Sequence, residues 1–470
     1  MSAAGTAPGQ GVGADTEPTG PTGQANRVIV VGGGLAGLAA ACQLVGTGAR
    51  VTVLEARARL GGATFSFDRD GLTVDNGQHV LLRCYTEYRA FLDRIGVGDK
   101  IAIQDRFRVP VVHADGRTGE LYRTGLPAPL HLGAALTRYG LLSFADRARV
   151  SLAVARLRSL DPADPRLDDR SFGSWLAQHG QRKAAIDALW NLITVAALNT
   201  DADDASLALC AMVFRTALLD RSDAADIGVP QVPLGQLHGE PAAEYLRKAG
   251  AEVRLRTAVR EIRQAGNGFE VVVDGETLSA DAVVVAVPSE AAAGVLPAGA
   301  LADPAAPAKL GSAPIVNVHA VYDTKVTDSS FTAIVGSPVQ WVFDRTDTAG
   351  VAGGQYLAVS LSAAGEWIDE PVARLREVFL PELAKLFPKA DPARCQEFFV
   401  TRERRATFHQ SPGSSRWRPT AQTLLPGCVL AGAWTATGWP DTMEGAVRSG
   451  NEAARIVDAR LARTVLGSVA

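Results

Sequence analysis

The fold is decided by residues 27–45, which read RVIVVGGGLAGLAAACQLV. The run RVIVV is typical of a strand buried on both faces, and it ends directly in the glycines of a GxGxxG pattern. In this pattern Gly32 permits a tight turn, Gly34 lets the backbone approach a pyrophosphate, and Gly37 allows the following helix to pack on the strand. The N-terminal end of that helix offers unpaired N–H groups to phosphates. The segment therefore predicts a dinucleotide site.

A second strand and an acidic residue complete the unit. Residues 51–54 read VTVL, and Glu55 follows 18 positions after Gly37. This is close to the spacing of about 20 residues at which an acidic side chain binds ribose hydroxyls. Because a carboxylate here repels the 2′-phosphate of NADP, the site favours FAD or NAD, and the fingerprint alone leaves those two open.

Composition excludes several classes of function. The 470 residues include 47 Lys and Arg against 50 Asp and Glu, a net charge of −3, so no basic domain indicates nucleic acid as a partner. The five cysteines are scattered, which indicates neither disulfides nor a metal site but a reducing, cytoplasmic compartment. No apolar run reaches the roughly 18 residues that span a bilayer. Residues 1–26, rich in Gly, Pro, Thr and Ala, are interpreted as a disordered leader.

A second glycine pair, within ARARLGGATFS at residues 56–66, decides between the two cofactors. The segment resembles the one that follows the ribose-binding acid in the amine oxidase and phytoene desaturase superfamily of FAD enzymes. The resemblance implies that the glycines lie at the pyrophosphate of FAD. Ala63 stands where the family often has Arg or Lys, and we expect Arg57 or Arg59 to replace that cation.

Two later segments are similar to the same superfamily. Residues 429–450 read VLAGAWTATGWPDTMEGAVRSG and are expected to form a strand, a glycine turn and a helix that closes on the flavin. The resemblance places the backbone of Met443 at the pyrimidine edge of the flavin. Ala433 stands where the family usually has Asp near the ribityl phosphate. Residues 251–262 resemble the strand whose valine, here Val259, contacts adenine through its backbone.

The fingerprint and the resemblance together predict a large set of FAD contacts. They are Gly32, Gly34, Leu35, Ala36, Gly37, Glu55, Ala56, Arg57, Gly61, Gly62, Ala63, Thr64, Asn76, Gly77, Gln78, Val259, Gly432, Ala433, Thr442, Met443, Glu444 and Ala446.

The predicted fold class combines α/β and α+β parts. A discontinuous Rossmann-type FAD-binding domain is joined to a substrate domain made of a mixed sheet and helices. The FAD-binding domain is expected to comprise residues 27–84, 226–299 and 396–470, the last with a C-terminal helix. The substrate domain is expected to comprise a helical, membrane-facing part, residues 85–225, and a sheet, residues 300–395.

Within the superfamily, the chain most resembles the hydroxysqualene dehydroxylases, also called squalene-associated FAD-dependent desaturases. The stretches that carry this resemblance are VDNGQHVLL at residues 74–82 and WTATGWPDTMEGAVRSG at residues 434–450. The resemblance implies that reduced flavin replaces the hydroxyl of hydroxysqualene with hydride, giving squalene for hopanoid or related triterpene synthesis. The expected partners are an isoprenoid lipid and an electron donor that the sequence does not identify.

This chemistry requires a proton donor for the departing hydroxyl. His79 and Asp441 are the candidates, and His79 is preferred because histidine titrates near neutral pH. The alternative is that His79 only hydrogen-bonds the chain near the flavin and Asp441 caps the C-terminal helix. An apolar, arginine-bearing helical pattern at residues 126–160 either docks at the inner face of a membrane or packs on its own domain.

Three rival functions remain open at this point. A carotenoid or phytoene desaturase shares the fold and moves hydride from substrate to flavin. An amine oxidase-like flavoenzyme would need an aromatic cage, but Thr442 occupies the position of one of its aromatic residues. A non-redox isoprenoid-binding protein would need no flavin.

Overall fold

The computed structural model describes residues 26–467, so the predicted leader lies outside them except for Asn26. A five-stranded sheet forms the centre of one half of the molecule, and every neighbouring pair of its strands is parallel. In spatial order the strands are Glu252–Arg254, Arg50–Leu54, Arg27–Val31, Ala282–Val285 and Cys428–Leu430. The sheet is thus assembled from segments far apart in sequence, which confirms the discontinuous Rossmann-type fold.

Both faces of this sheet are covered, as the continuous apolar strands predict. On one face lie the helices Leu35–Val45, Gly239–Lys248 and Met443–Gly467. The other face packs against an antiparallel three-stranded sheet, with strands Val259–Ala265, Gly268–Val273 and Glu276–Ala280. The strand predicted around residues 251–262 is two strands here, which belong to different sheets because a turn at residues 255–258 separates them.

A seven-stranded mixed sheet forms the second half of the molecule. In spatial order its strands are Cys395–Thr407, Ala313–Tyr322, Gln355–Leu361, Trp341–Asp344, Phe331–Val335, Arg108–His113 and Thr118–Tyr122. One face of the sheet buries alternate residues, such as Val316 and Val318, against the helix Val372–Leu386. The opposite face lines a cavity and packs against helices of residues 133–219.

The remaining elements connect these two layers. The short strand pairs and triplets are Ser66–Arg69 with Leu72–Asp75, and Leu81–Leu82 with Ile227–Pro230 and Ile101–Ile103. The other α-helices are Thr86–Arg94, Gly133–Arg138, Phe144–Arg158, Pro165–Asp168, Phe172–Gln178, Lys183–Ala185, Asn191–Leu198, Leu207–Phe214, Leu234–Leu237, Ser289–Val295 and Thr346–Ala349. Among the described residues, no helix is long and apolar enough to cross a membrane.

Two predicted boundaries differ from the packing in the structure. The helix Thr86–Arg94 buries Tyr88, Phe91 and Leu92 in the core of the five-stranded layer, whereas the prediction began the substrate region at residue 85. The strand Cys395–Thr407 pairs along its length with Ala313–Tyr322, whereas the prediction returned to the FAD region at residue 396. In both places the packing of one helix or strand sets the boundary. The sequence motifs that guided the prediction lie elsewhere in the chain, so they did not locate it.

Candidate functional site

The first glycine loop has no room for side chains at Gly32 and Gly37. Gly32 has φ of +108°, and a Cβ atom there would lie 2.4 Å from the carbonyl oxygen of Ala286. A Cβ atom on Gly37 would lie 2.0 Å from the carbonyl oxygen of Gly32, so the helix Leu35–Val45 rests directly on the turn. At Gly34, the residue before this helix, the nearest atom to an added Cβ is 3.7 Å away. The loop therefore presents backbone alone where the helix begins.

The second glycine pair packs on the first loop. The Gly61 N–H donates to the carbonyl oxygen of Gly33 at 2.8 Å, and a Cβ atom on Gly62 would lie 2.8 Å from the Cα atom of Gly34. Both Gly61 and Gly62 have positive φ, a conformation that favours glycine. The two loops, predicted separately, thus form one surface without side chains, as a pyrophosphate requires.

Glu55 lies beside this surface and is buried. Its carboxylate accepts hydrogen bonds from the N–H groups of Gly33 and Arg57, each at 2.7 Å. The Thr257 N–H donates to the carbonyl oxygen of Glu55 at 2.9 Å, which brings the start of the strand at Val259 towards the same end of the sheet. The structure therefore gathers the predicted ribose and adenine contacts at one place.

Of the two candidate cations, Arg59 is the one at the glycine loop. Its guanidinium donates to the carbonyl oxygen of Gly62 at 3.1 Å and lies 3.2 Å from the ring centre of Phe65. Burial lowers its pKa, and the positive charge of Arg57 adds to that effect. Ala56 and Arg57 are exposed. We therefore expect Arg59 to supply the positive charge that the family often has as Arg or Lys at the position of Ala63.

Asn76 links the loop after Asp75 to the second glycine pair. Its side-chain amide donates to the carbonyl oxygen of Ala63 at 2.8 Å and accepts from the Phe65 N–H at 3.1 Å. Gly77, Gln78 and His79 follow it along the cavity wall.

The C-terminal segment supplies the next wall. Thr442 caps the helix Met443–Gly467 by accepting the Gly445 N–H at 3.1 Å, and both Thr442 and Met443 line the cavity. Asp441 was the alternative cap, but its carboxylate instead accepts the Phe408 N–H at 2.9 Å.

The Glu444 carboxylate is bound within the protein. Its carboxylate accepts the N–H groups of Glu87 and Tyr88 at 3.2 and 2.8 Å and pairs with Arg448 at 2.7 Å. The carboxylate therefore caps the helix Thr86–Arg94, and the cofactor contact of Glu444 stays a prediction. Neither Glu444 nor Ala446 is among the residues that line the cavity.

Arg418 holds the turn that follows Gly432. Its buried guanidinium donates to the carbonyl oxygens of Ala433, Thr435 and Trp439 at 2.6–2.9 Å. Burial lowers the pKa of Arg418 to about 10, so it stays charged at neutral pH. Sequence reasoning missed it, since no local motif connects it to a turn 15 to 21 residues later.

The cavity, of about 400 Å³, runs from these loops into the second half of the molecule. Near the loops its walls include polar groups, and further along they are aliphatic and aromatic. The aromatic wall residues are Tyr85, Phe107, Phe331, Trp341 and Phe343. The aliphatic wall residues include Val109, Leu121, Leu192, Ile193, Val213, Ala217, Leu218 and Ile227. Trp439 packs edge-on against Tyr85, with ring centres 5.9 Å apart.

Both proton-donor candidates line this cavity, with opposite electrostatics. Burial raises the pKa of Asp441 to about 6, even though the hydrogen bond from Phe408 and the charge of Arg418 act against the shift. Burial lowers the pKa of His79, whose Nδ1 lies 3.1 Å from the carbonyl oxygen of Gly77. A carbonyl oxygen only accepts, so Nδ1 carries the proton and Nε2 of the neutral ring is an acceptor.

A buried ion pair beside His79 joins the strand Leu72–Asp75 to the seven-stranded sheet. Arg345 donates to Asp75 at 2.9 Å, and Asp75 also accepts from the Ser66 hydroxyl and the Leu234 N–H. Both side chains of the pair are under 10 % exposed. Sequence reasoning missed this pair because its partners are 270 residues apart.

A family model of flavin-containing amine oxidoreductases matches residues 35–458. The chain belongs to this family, and it is an FAD-dependent oxidoreductase. Within the family, it is 32 % identical over 445 residues to a hydroxysqualene dehydroxylase of Rhodopseudomonas palustris, covering 92 % of this chain and 98 % of the relative. It is 26 % identical to a zeta-carotene desaturase of Synechocystis, covering 94 % and 100 %.

The fold is also that of solved amine oxidases. A variant of putrescine oxidase superposes with a TM-score of 0.72 at 21 % identity, over 93 % of this chain and 99 % of that one. The residues of this chain fit FAD: the two glycine loops leave a surface that side chains would fill, and a buried carboxylate stands at the end of the second strand. Among the described residues, no cluster of His, Cys, Asp or Glu could hold a metal ion.

Proposed function

We propose that this protein converts hydroxysqualene to squalene by reductive dehydroxylation. The observation that carries the proposal is one cavity that is polar at the glycine loops, apolar and aromatic beyond them, and bordered by a buried carboxyl group of raised pKa. A polyisoprenoid with a single hydroxyl matches that division. The likeness to a hydroxysqualene dehydroxylase over 92 % of the chain supports the same substrate.

Bound FAD, once reduced, supplies the hydride that replaces the hydroxyl. The C–O bond breaks, a C–H bond forms, and the oxygen leaves as water after taking up one proton. The protein's own residues supply that proton, exclude other water, and stabilise the positive charge that develops on the allylic carbon.

We propose Asp441 as the proton donor ahead of His79. A carboxyl group with a pKa near 6 is protonated in a useful fraction of molecules near neutral pH, and it is held in place by the Phe408 N–H. His79, neutral and protonated on Nδ1, has no proton on Nε2 to give. Its role in this proposal is to accept a hydrogen bond at the cavity wall.

The aromatic wall suits a developing cation. The faces of Tyr85, Phe107, Phe331, Trp341 and Phe343 carry negative partial charge. Because this part of the wall is apolar, the attraction between the rings and a developing cation is screened less than it would be in water.

The second candidate function is a carotenoid-type desaturase, favoured by the 26 % identity to a zeta-carotene desaturase over the whole relative. A desaturase transfers hydride from a polyene to the flavin and loses a proton to a base, a role that the Asp441 carboxylate also fits, so the direction of hydride transfer separates the two functions.

An anaerobic experiment tests the proposal. The purified flavoprotein is reduced, hydroxysqualene is added, and the flavin absorbance is followed while products are extracted for mass spectrometry. We expect the flavin to reoxidise as squalene appears in equal amount. If reduced flavin does not react with hydroxysqualene, and polyenes reduce the oxidised flavin, the protein is a desaturase instead.

We also propose peripheral contact with the cytoplasmic face of a membrane, where the electron donor and the lipid substrate would be met. Four exposed apolar side chains support it: Leu126, Leu130, Phe144 and Leu152, each 52–82 % exposed. They lie in the predicted segment 126–160, which contains the helices Gly133–Arg138 and Phe144–Arg158 and exposed arginines. Apolar side chains among cations suit an anionic lipid surface.

Flotation with phosphatidylglycerol vesicles tests this contact. We expect the wild-type protein to float and Phe144→Asp to remain largely in the soluble fraction. Leu424→Asp, a change at a leucine that is 66 % exposed and lies outside the segment, should float like the wild type. Equal behaviour of the two variants would remove the proposed docking surface.

A further inference from the structure

A pair of polar side chains lies in the cavity wall between the loop at Asn76 and the aromatic residue Trp341. Asn317 and Ser360 are directly opposite each other on neighbouring antiparallel strands, and both line the cavity. Side chains at opposed positions stand on the same face of a sheet, with Cβ atoms about 4.5–5.5 Å apart. Trp341 stands opposite Ser360 on the next strand. The pair is therefore bordered by an aromatic surface.

The amide of Asn317 is oriented by a contact on one side only. Its Nδ2 donates to the carbonyl oxygen of Asn76 at 3.2 Å, an oxygen that also accepts from the Thr401 hydroxyl. Its Oδ1 is fully buried and, within the described part of the chain, accepts no hydrogen bond. A buried acceptor without a partner costs free energy, which a ligand that supplies a donor recovers.

Ser360 adds a group of complementary type. Its hydroxyl makes no hydrogen bond to the residues that the structure describes, and it can both donate and accept. An amide oxygen oriented by the hydrogen bond of its Nδ2 and a hydroxyl that can rotate, on one face of a sheet, fit a single alcohol group.

We propose that Asn317 and Ser360 form the site that recognises the hydroxyl of the isoprenoid substrate. The substrate O–H donates to Asn317 Oδ1, and the Ser360 hydroxyl donates to the substrate oxygen. This assignment rests on the proposed function and deepens it, because it makes the cavity select an alcohol over the hydrocarbon product. After the reaction the product lacks the group that the pair binds, so the pair also favours product release.

The test compares dissociation constants of hydroxysqualene and squalene for the FAD-loaded, oxidised protein, in the same detergent, from changes in flavin absorbance. Oxidised flavin donates no hydride, so binding is measured without turnover. We expect the wild type to bind the alcohol about tenfold more tightly than the hydrocarbon. Asn317→Leu should bring the ratio to about one, and Ser360→Ala should lower it about threefold. Ser362→Ala, at another hydroxyl of the same cavity, is the control and should leave the ratio unchanged.

The outcomes separate this inference from the proposed function. If the reduced wild type forms squalene but both variants keep the wild-type ratio, the hydroxyl site is wrong and the proposed function stands. If the ratio is kept and only FAD content falls, Asn317 serves the cofactor, which also overturns the inference. If the wild type neither binds hydroxysqualene nor forms squalene, both proposals fail. Should Asn317→Leu not fold, Ser360→Ala, which removes one oxygen atom, decides alone.

Discussion

The two halves of the cavity recognise their ligands in different ways. At the glycine loops the wall is main chain: Gly34 and Gly62 approach so closely that no Cβ atom fits at Gly62, and the ligand would meet N–H groups and a helix terminus. In the second half the wall is made of side chains from scattered strands and helices, such as Leu192, Phe331 and Trp341.

This difference explains why the glycine-loop half of the cavity has a sequence motif and the apolar half has none. A backbone surface demands glycine at fixed positions, so it leaves a pattern in the sequence. An apolar surface demands volume and shape, which many combinations of aliphatic and aromatic residues can supply. The predictions below test this contrast between the halves.

The largest effect is expected at the backbone surface. Gly37→Val places a branched side chain where a Cβ atom alone would lie 2.0 Å from the Gly32 carbonyl oxygen, so the helix must leave the turn. We expect the protein to lose its flavin completely, measured by the ratio of absorbance at the flavin band to that of protein. Gly294→Val, on an exposed helix with open space around the Cβ position, should retain flavin. A yellow Gly37→Val protein would contradict the description of the loop.

The next effect is on chemistry at the border between the halves. Asp441→Asn removes the proposed acid, and we expect turnover to fall about 10²–10⁴-fold with FAD content unchanged. In the wild type the protonated carboxyl is the active form, so kcat should fall as pH rises through the pKa of about 6. That limb should be absent in Asp441→Asn. His79→Gln should lose less than tenfold, and the reverse ranking of the two variants would restore His79 as the donor.

The third effect is on stability, through the buried ion pair between Asp75 and Arg345. Arg345→Met leaves the buried Asp75 carboxylate without its cation, and we expect the free energy of unfolding to fall by about 3–5 kcal/mol. Urea unfolding followed by flavin fluorescence and far-UV circular dichroism measures it. Arg260→Met, which removes a cation from an exposed pair with Asp274, should leave the midpoint unchanged. Equal unfolding midpoints for Arg345→Met and the wild type would show that this ion pair does not stabilise the fold.

The smallest effect is expected in the apolar half. Ala197→Phe adds a ring to the cavity wall, and we expect the dissociation constant for hydroxysqualene to rise about tenfold while FAD content stays constant. Ala177→Phe, on the exposed side of the helix Phe172–Gln178, is the matched control. If substrate binding is unaffected at Ala197, the substrate does not occupy this part of the cavity.

The sequence was informative where chain-local rules apply. The strand, turn and helix at residues 27–45 and the second strand at residues 51–54 follow from glycine geometry and β-branched residues, and both lie where they were predicted. Contacts between distant segments could not be predicted in this way. Glu444 looked like part of a cofactor helix, but its carboxylate caps a helix more than 350 residues earlier. Arg418, Arg345 and Asn317 carry no local signal, because their partners are set by packing of layers.

Alternate residues on the same strands of the seven-stranded sheet have two different roles. Val316, Val318, Leu357 and Val359 hold the fold on one face, while Asn317 and Ser360 stand between them on the other. A substitution at Asn317 or Ser360 therefore changes the cavity wall without removing a side chain from the core against the helix Val372–Leu386. Substitutions at two neighbouring residues of one strand are therefore expected to act differently, one on ligand binding and the other on folding.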